Sequence, residues 1–303
     1  MSSGEGSLKS IIYALSANAA ITVAKTVAAF LTNSGAMLAE AIHSAADCGN
    51  QLLLLLGIKR SKKPPSNNFP LGYGKEVYFW SFIVAILLFS VGGMFSVYEG
   101  WHKLHEPQAI NQPWIALGVL GFAILAEGLS LAGCVREINK VRGQKSLWQW
   151  FRDSRQSSLL VIFGEDLAAI LGLVFAFCAV VITTVTGNPI YDAIGTLAIG
   201  VLLITVAVLV GREVKDLLVG QGVDADTRAA MERLITTQPG VQQLYNLVTL
   251  QLGEDVMVAA KVRMQKFGNS DMLITRINQC ESALRQAFPQ IMWCFFEPDN
   301  TDD

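Results

Sequence analysis

The chain has 303 residues, 52% of them hydrophobic and only 16% charged, with a net charge of −2. Soluble domains carry about 25% charged residues, so this composition excludes an ordinary soluble chain. The near-neutral balance likewise excludes nucleic-acid binding by bulk positive charge.

Charge is sparse from about residue 8 to 210 and ordinary from about 223 onward. That shift predicts a membrane domain over 1–215, a linker over 216–222 and a soluble domain over 223–303. The opening segment MSSGEGSLKS is polar and lacks a basic n-region, so the first apolar run reads as a retained span rather than a signal peptide. A bilayer core of about 30 Å takes about 20 apolar residues in helix. Six runs meet that need, roughly 8–31, 35–58, 77–99, 113–134, 157–182 and 190–210.

The first run contains Lys25, which reads more readily as snorkelling outward than as neutralising an acid. Asn33-Ser34-Gly35 forms an abrupt hairpin into the second run. There Glu40, His43, Asp47 and Gln51 recur at spacings of 3, 4 and 4, which puts all four on one helix face. A central acid in a span costs about 2.5–3.5 kcal/mol on insertion scales. Two acids and an imidazole in one stripe therefore point to a site more than to a polar packing seam. Cys48 lies about 100° from Asp47 on the wheel and is left out.

The third run carries no charge from Val77 to Tyr98, and Glu99, His102 and His105 beyond it read as interfacial residues. Glu127 in the fourth run reads as a proton relay or an outer ligand, with a structural use as readily as either function together. The fifth run places Glu165 and Asp166 side by side, about 100° apart on the wheel. Asp166 lies roughly 14 Å and Asp47 roughly 16 Å from the same end of their spans, a matching depth. Gly172 with Ala168 reads as a close helix approach. Gly187-Asn188-Pro189 turns into the sixth run, where Asp192 reads as interfacial or capping.

The loops set orientation. Lys59, Arg60, Lys62, Lys63 and Lys75 follow the second run, and Arg136, Lys140, Arg142, Lys145, Arg152 and Arg155 follow the fourth. The intervening loops are poor in base, which predicts that both termini are cytoplasmic. In the tail, helices over 224–236 and 271–288 alternate with strands over 244–252, 256–264 and 291–296. The α-β-β-α-β order predicts a small two-layer domain whose thin core favours dimerisation.

Imidazole and carboxylates without thiolate suit zinc and its first-row neighbours. Asp47 and Asp166 would neutralise a divalent ion, with His43 and Glu165 as further ligands and Glu40, Gln51 and Glu127 as accessory or proton-relay groups. Ligands that bind either metal or protons are a natural place for coupling.

These residues resemble the cation diffusion facilitator family. The resemblance rests on His43-x-x-x-Asp47, Asp166, GYGK (Gly72 to Lys75), YEG (Tyr98 to Gly100) and YDAIGTLAIG at the start of the sixth run. It covers nearly the whole chain. AEAIHSAADCGNQ and EDLAA look most like the branch of animal mitochondrial zinc transporters. The resemblance implies an all-α six-helix transmembrane domain with a cytoplasmic α+β ferredoxin-like domain. It also implies a homodimer exchanging Zn2+ for protons by alternating access, with Mn2+, Fe2+ or Co2+ as other cargoes.

This sequence departs from the family pattern in three places. The position four before Asp166, where relatives carry a ligand, is Ile162, and Glu165 or Glu40 or water would have to replace it. Relatives often carry GHGK, and here its histidine is Tyr73. The tail has no histidine, since the chain's three are His43, His102 and His105. Cys280, Cys294, Glu297 and Asp299 are too scattered to predict a tail metal site, and the tail is expected to serve dimerisation.

A cation channel, an intramembrane metal-dependent hydrolase and a metal-free scaffold are the rivals. No HExxH cluster or GxSxG elbow supports a hydrolase, so no enzyme activity and no permanent cofactor are expected. Lipid, metal and protons are the expected partners. No presequence rich in Arg and Ser is visible, so the expected location is a bacterial inner membrane, with export from the cytoplasm.

Overall fold

The computed structural model describes residues 3–301, with side chains in the first helix described from residue 18. Two helices, α1 (Ser3–Thr32) and α2 (Gly35–Ser61), open the chain. A third long helix follows in three parts: α3 (Glu76–Leu87), a π-helical segment (Leu88–Met94) and α4 (Phe95–His105). Next come α5 (Pro113–Val141), the short α6 (Leu147–Asp153), α7 (Ser157–Thr186) and α8 (Ile190–Val219).

Glu76–His105, Pro113–Val141, Ser157–Thr186 and Ile190–Val219 are each long and apolar enough to cross a bilayer. In α1 the described side chains give a shorter apolar stretch, Asn18–Thr32. With 27 residues α2 is long enough. Its hydropathy is lowered by Glu40, His43, Asp47, Asn50 and Gln51 in mid-helix. The chain is thus a multi-pass membrane protein of six long helices, as its six apolar runs predict.

Several helices outrun their apolar runs. α2 continues to Ser61, α5 to Val141 and α8 to Val219. Apolar composition marks the hydrocarbon depth, whereas the backbone ladder continues until a breaker stops it. Residues 216–219 of the expected linker are accordingly the last turn of α8, and Gly220 at φ 129° ends it.

The polypeptide forms two compact units. The first comprises Met1–Leu56, Trp80–Trp148 and Ser158–Glu213. Within it the third long helix and α8 approach backbone to backbone. A Cβ on Gly93 would lie 2.6 Å from Ile204 Cγ1, one on Gly100 2.7 Å from the Leu197 amide nitrogen, and one on Gly200 2.7 Å from the Val97 amide nitrogen. Small residues at such crossings replace hydrophobic driving force with close packing.

The second unit comprises Gly57–Phe79, Gln149–Ser157 and Val214–Asp303. It includes α9 (Ala225–Thr236), β1 (Val241–Leu252), β2 (Asp255–Met264), α10 (Ser270–Ala287) and β3 (Ile291–Pro298). Asp224 caps α9 by accepting from the Thr227 amide at 3.2 Å, and Asn269 caps α10 by accepting from the Met272 amide at 2.9 Å. The sheet order is β1-β2-β3, antiparallel then parallel, with α10 as the crossover. Its core joins Val223, Met231, Ile235, Leu247, Val256, Val258, Ala260, Val262, Leu284, Ile291 and Cys294. This is the small α+β module expected from the tail.

The loop after α2 has a structural task in this unit. Gly74 lies so close to β1 that a Cβ there would sit 1.9 Å from the Leu252 carbonyl oxygen. The Tyr78 hydroxyl accepts from the Gly253 amide at 2.8 Å and donates to the Gly253 carbonyl at 3.4 Å. Arg155 Nε donates to the Gly222 carbonyl at 2.7 Å.

Candidate metal-ion site

Helical periodicity sets one polar face on α2, and the first unit gathers acids from α5 and α7 around part of it. Asp47 and Gln51 of α2, Glu127 of α5, and Glu165 and Asp166 of α7 all line one cavity of about 30 Å³. That is room for about one or two small solvent-sized species. Asn18 of α1 and Ser44 of α2 complete its polar wall.

Each acid has a distinct support. Glu165 is buried and accepts from Asn50 Nδ2 at 2.6 Å. Both Asp166 carboxylate oxygens lie 3.4 Å from Ser130 Oγ, which donates to them. Ser130 stands three residues after Glu127 on α5, so the two share a face. Glu165 and Asp166 line the same space although they are adjacent, because the cavity spans the gap between their directions.

His43 and Glu40 stand apart from the cavity wall. His43 is fully buried, with Nδ1 3.4 Å from Asp47 Oδ1. Neither ring nitrogen has a hydrogen-bond partner among the described residues, nor does Asp47 Oδ1. Buried imidazole and carboxylate atoms left unsatisfied are costly, and an incoming cation would satisfy both. Ile162, one turn before Asp166, does line the cavity, where it supplies an aliphatic wall in place of a donor. Among the described residues no three of His, Cys, Asp or Glu converge on a single point in this conformation.

Lys25 corrects an expectation. It does not snorkel outward. It is wholly buried, 3.3 Å from Glu40 Oε2, and donates to Ser44 Oγ at 2.7 Å. A carboxyl group on the neighbouring helix compensates a buried ammonium better than a distant headgroup can. Gly172 makes room for this pair, since a Cβ there would lie 2.4 Å from Glu40 Oε1.

Asp192 lies away from this cavity. It accepts from Ser34 Oγ at 2.5 Å and from the Gly35 amide at 2.6 Å, so α8 caps the start of α2. Lys103 of α4 lies 3.7 Å from the same carboxylate. His102 and His105 are exposed, with His102 Nε2 3.7 Å from Glu106 Oε2.

Sequence reasoning missed Asn18, Ser44, Asn50 and Ser130. Asn50 carried a signal, because it follows His43 by seven residues on α2. The other three are common in membrane helices as local backbone-bonding groups, and nothing in their spacing marks them.

A family model described as the cation efflux transmembrane domain matches residues 11–219. The chain is 33% identical over 251 residues to the mitochondrial proton-coupled zinc antiporter SLC30A9 of Xenopus laevis, covering 82% of this chain and 45% of that protein. Metal tolerance protein C4 of Arabidopsis thaliana is 30% identical over 224 residues, covering 73% of this chain and 49% of that one. This chain thus spans about half the length of these relatives. Magnetosome protein MamB of Magnetospirillum gryphiswaldense is 27% identical over 277 residues, covering 88% of this chain and 86% of its own length.

Proposed function

Because this chain belongs to the cation efflux family, we propose that it exports a divalent transition-metal ion, zinc first, in exchange for protons. The observation that carries this reading is the shared cavity of Asp47 and Asp166, brought together from α2 and α7. Two carboxylates offset a divalent charge in a poorly hydrated site. His43, one turn from Asp47 and without a hydrogen-bond partner among the described residues, supplies the nitrogen that zinc favours once it turns to the ion. Glu165, with Glu127 beside it in the cavity, gives the site acids beyond those needed to balance the metal. Such acids take up protons when the metal leaves. Alternating access then requires only that α2 and α7 shift against their neighbours while the donors stay together.

Manganese or iron is the second reading. The donors that line the cavity are all oxygen atoms, because Ile162 is aliphatic and His43 is set back, and oxygen donors suit harder ions. The zinc antiporter relatives favour zinc.

The basic loops after α2 and α5 support cytoplasmic termini, and the family's description as cation efflux supports export away from the cytoplasm. A bacterial inner membrane is supported by the relative from the bacterium Magnetospirillum, whereas the relatives of higher identity are named mitochondrial. The outer face of the tail sheet supports a homodimer. Val248, Ala259 and Phe295 are neighbours across it, and Val248 and Phe295 are about half exposed at 49% and 52%. An apolar row of this kind on a small module is where a second copy would pack.

The test is metal uptake by vesicles containing the purified protein, with zinc, manganese, iron and cobalt in turn and a pH gradient of either sign. Zinc uptake should follow the gradient and saturate. Asp47→Ala and Asp166→Ala should each reduce it by about 100-fold or more, the loss expected on removing a direct ligand rather than its support. Uptake indifferent to the gradient would sink proton exchange, and unsaturated flux at channel rates would sink the carrier.

A further inference from the structure

The Lys25–Glu40 pair lies one side chain behind the cavity wall. Ser44 links the two places, accepting from Lys25 at 2.7 Å while lining the cavity itself. Both members of the pair are fully buried. Glu40 is seated between the ammonium of Lys25 on α1 and the bare backbone of Gly172 on α7. Its Oε1 accepts no hydrogen bond among the described residues.

A buried ion pair is a poor device for stability alone, because apolar side chains of similar volume hold a core as well or better. Its charges act on what lies nearby. The cavity wall carries Asp47, Glu127, Glu165 and Asp166 and no basic side chain. That many acids would hold a divalent ion tightly enough to slow its release. Lys25 supplies a fixed positive charge near them, and Glu40 offsets most of it.

We infer that Lys25 and Glu40 form an affinity-setting pair: Glu40 is the counter-ion of Lys25 rather than a metal ligand, and their balance fixes how tightly the Asp47–Asp166 cavity holds zinc. This rests on the reading of that cavity as the cargo site. It also removes Glu40 as a substitute for the ligand that Ile162 lacks. Lys25 and Glu40 are positioning residues, acting through the field they impose on the cavity.

The pair makes two single substitutions act in opposite directions. Glu40→Gln leaves the Lys25 charge unopposed and should weaken zinc binding about tenfold. Lys25→Met leaves an extra acid and should tighten it about tenfold while slowing uptake. Lys25→Met combined with Glu40→Gln should return binding to within about threefold of the unsubstituted chain. A pair that merely braced the helices would weaken binding in both single variants.

The experiment measures zinc affinity of the full chain in detergent by chelator competition, with zinc uptake in vesicles alongside. Shifts of the same sign in the two single variants, or a double variant no better than the worse single one, would overturn the inference. Should the single variants not fold, two double variants still decide. Lys25→Arg with Glu40→Asp keeps both charges, and Lys25→Met with Glu40→Gln removes both. Similar zinc affinity in the two supports the pair. Affinity about tenfold weaker in the neutral one would mark Glu40 as a ligand and overturn it. Zinc binding that is absent from the unsubstituted chain would remove the proposed function and this inference together. Binding with same-sign shifts removes the inference alone.

Discussion

Asn50 and Asp192 each hold a helix or an acid in place by a hydrogen bond that no apolar residue can supply. Asn50 Nδ2 donates to Glu165 Oε1 at 2.6 Å inside the first unit. Replacing Asn50 with Leu leaves that carboxylate buried without its donor. Groups that orient an ion-binding side chain are typically worth about 10–100-fold in metal affinity. Asn50→Leu is therefore expected to raise the zinc concentration for half-maximal uptake by that factor while the protein still folds, and an unchanged value would detach Glu165 from the site. Asp192 satisfies Ser34 Oγ and the Gly35 amide at the start of α2, with Lys103 beside it. Its replacement by Ala strands those donors in a buried place, at about 1–3 kcal/mol. The thermal midpoint of the detergent-solubilised protein should fall accordingly, and an unmoved midpoint would show that water replaces the carboxylate.

Among the elements, the contact of the loop after α2 with the β1–β2 turn has the most demanding geometry. Gly74 has no room for a methyl group, because its Cβ would meet the Leu252 carbonyl oxygen at 1.9 Å. That contact is backbone, so only a shift of the loop relieves it. Gly74→Ala should cost about 1–3 kcal/mol, the usual range for overpacking. Tyr78→Phe keeps the ring and removes both hydrogen bonds to Gly253, at about 1 kcal/mol for the better one. Protease cleavage near residues 253–255 is the measurement for both, and Gly74→Ala should be cut faster than Tyr78→Phe. GYGK thus owes its two glycines to backbone geometry: Gly72 adopts φ 81° and Gly74 lies against the strand. The π-helical segment Leu88–Met94 falls where Gly92 and Gly93 weaken the α-helical ladder and Gly93 meets α8.

On the scale of the whole molecule, the tail sheet presents Val248 and Phe295 on the face opposite its core. Phe295→Glu places a charge there without touching the core, which contains Val258 and Cys294 instead. On the proposed homodimer, the mass of the full chain in detergent should drop from two copies to one. A dimer that persists would move the interface elsewhere. Transport activity in the same variant separates the two tasks, because the donors of the cavity all belong to the first unit.

The sequence by itself determined the six long helices and which polar residues lie inside them, but not the short α6 or the π-helical break in the third long helix. Hydrophobic length marks a span locally, and the spacing of Glu40, His43, Asp47 and Gln51 fixes their common face through the helical period. The strand and helix order of the tail was legible for the same reason, since alternation and caps are local signals. Partner choice was decided only by the tertiary structure. Lys25 meets Glu40, Asn50 meets Glu165, and Asp192 caps α2 across more than 150 residues of sequence. A helical wheel gives the direction of each side chain but not which helix stands opposite. The low dielectric of the interior then makes each buried charge depend on that neighbour.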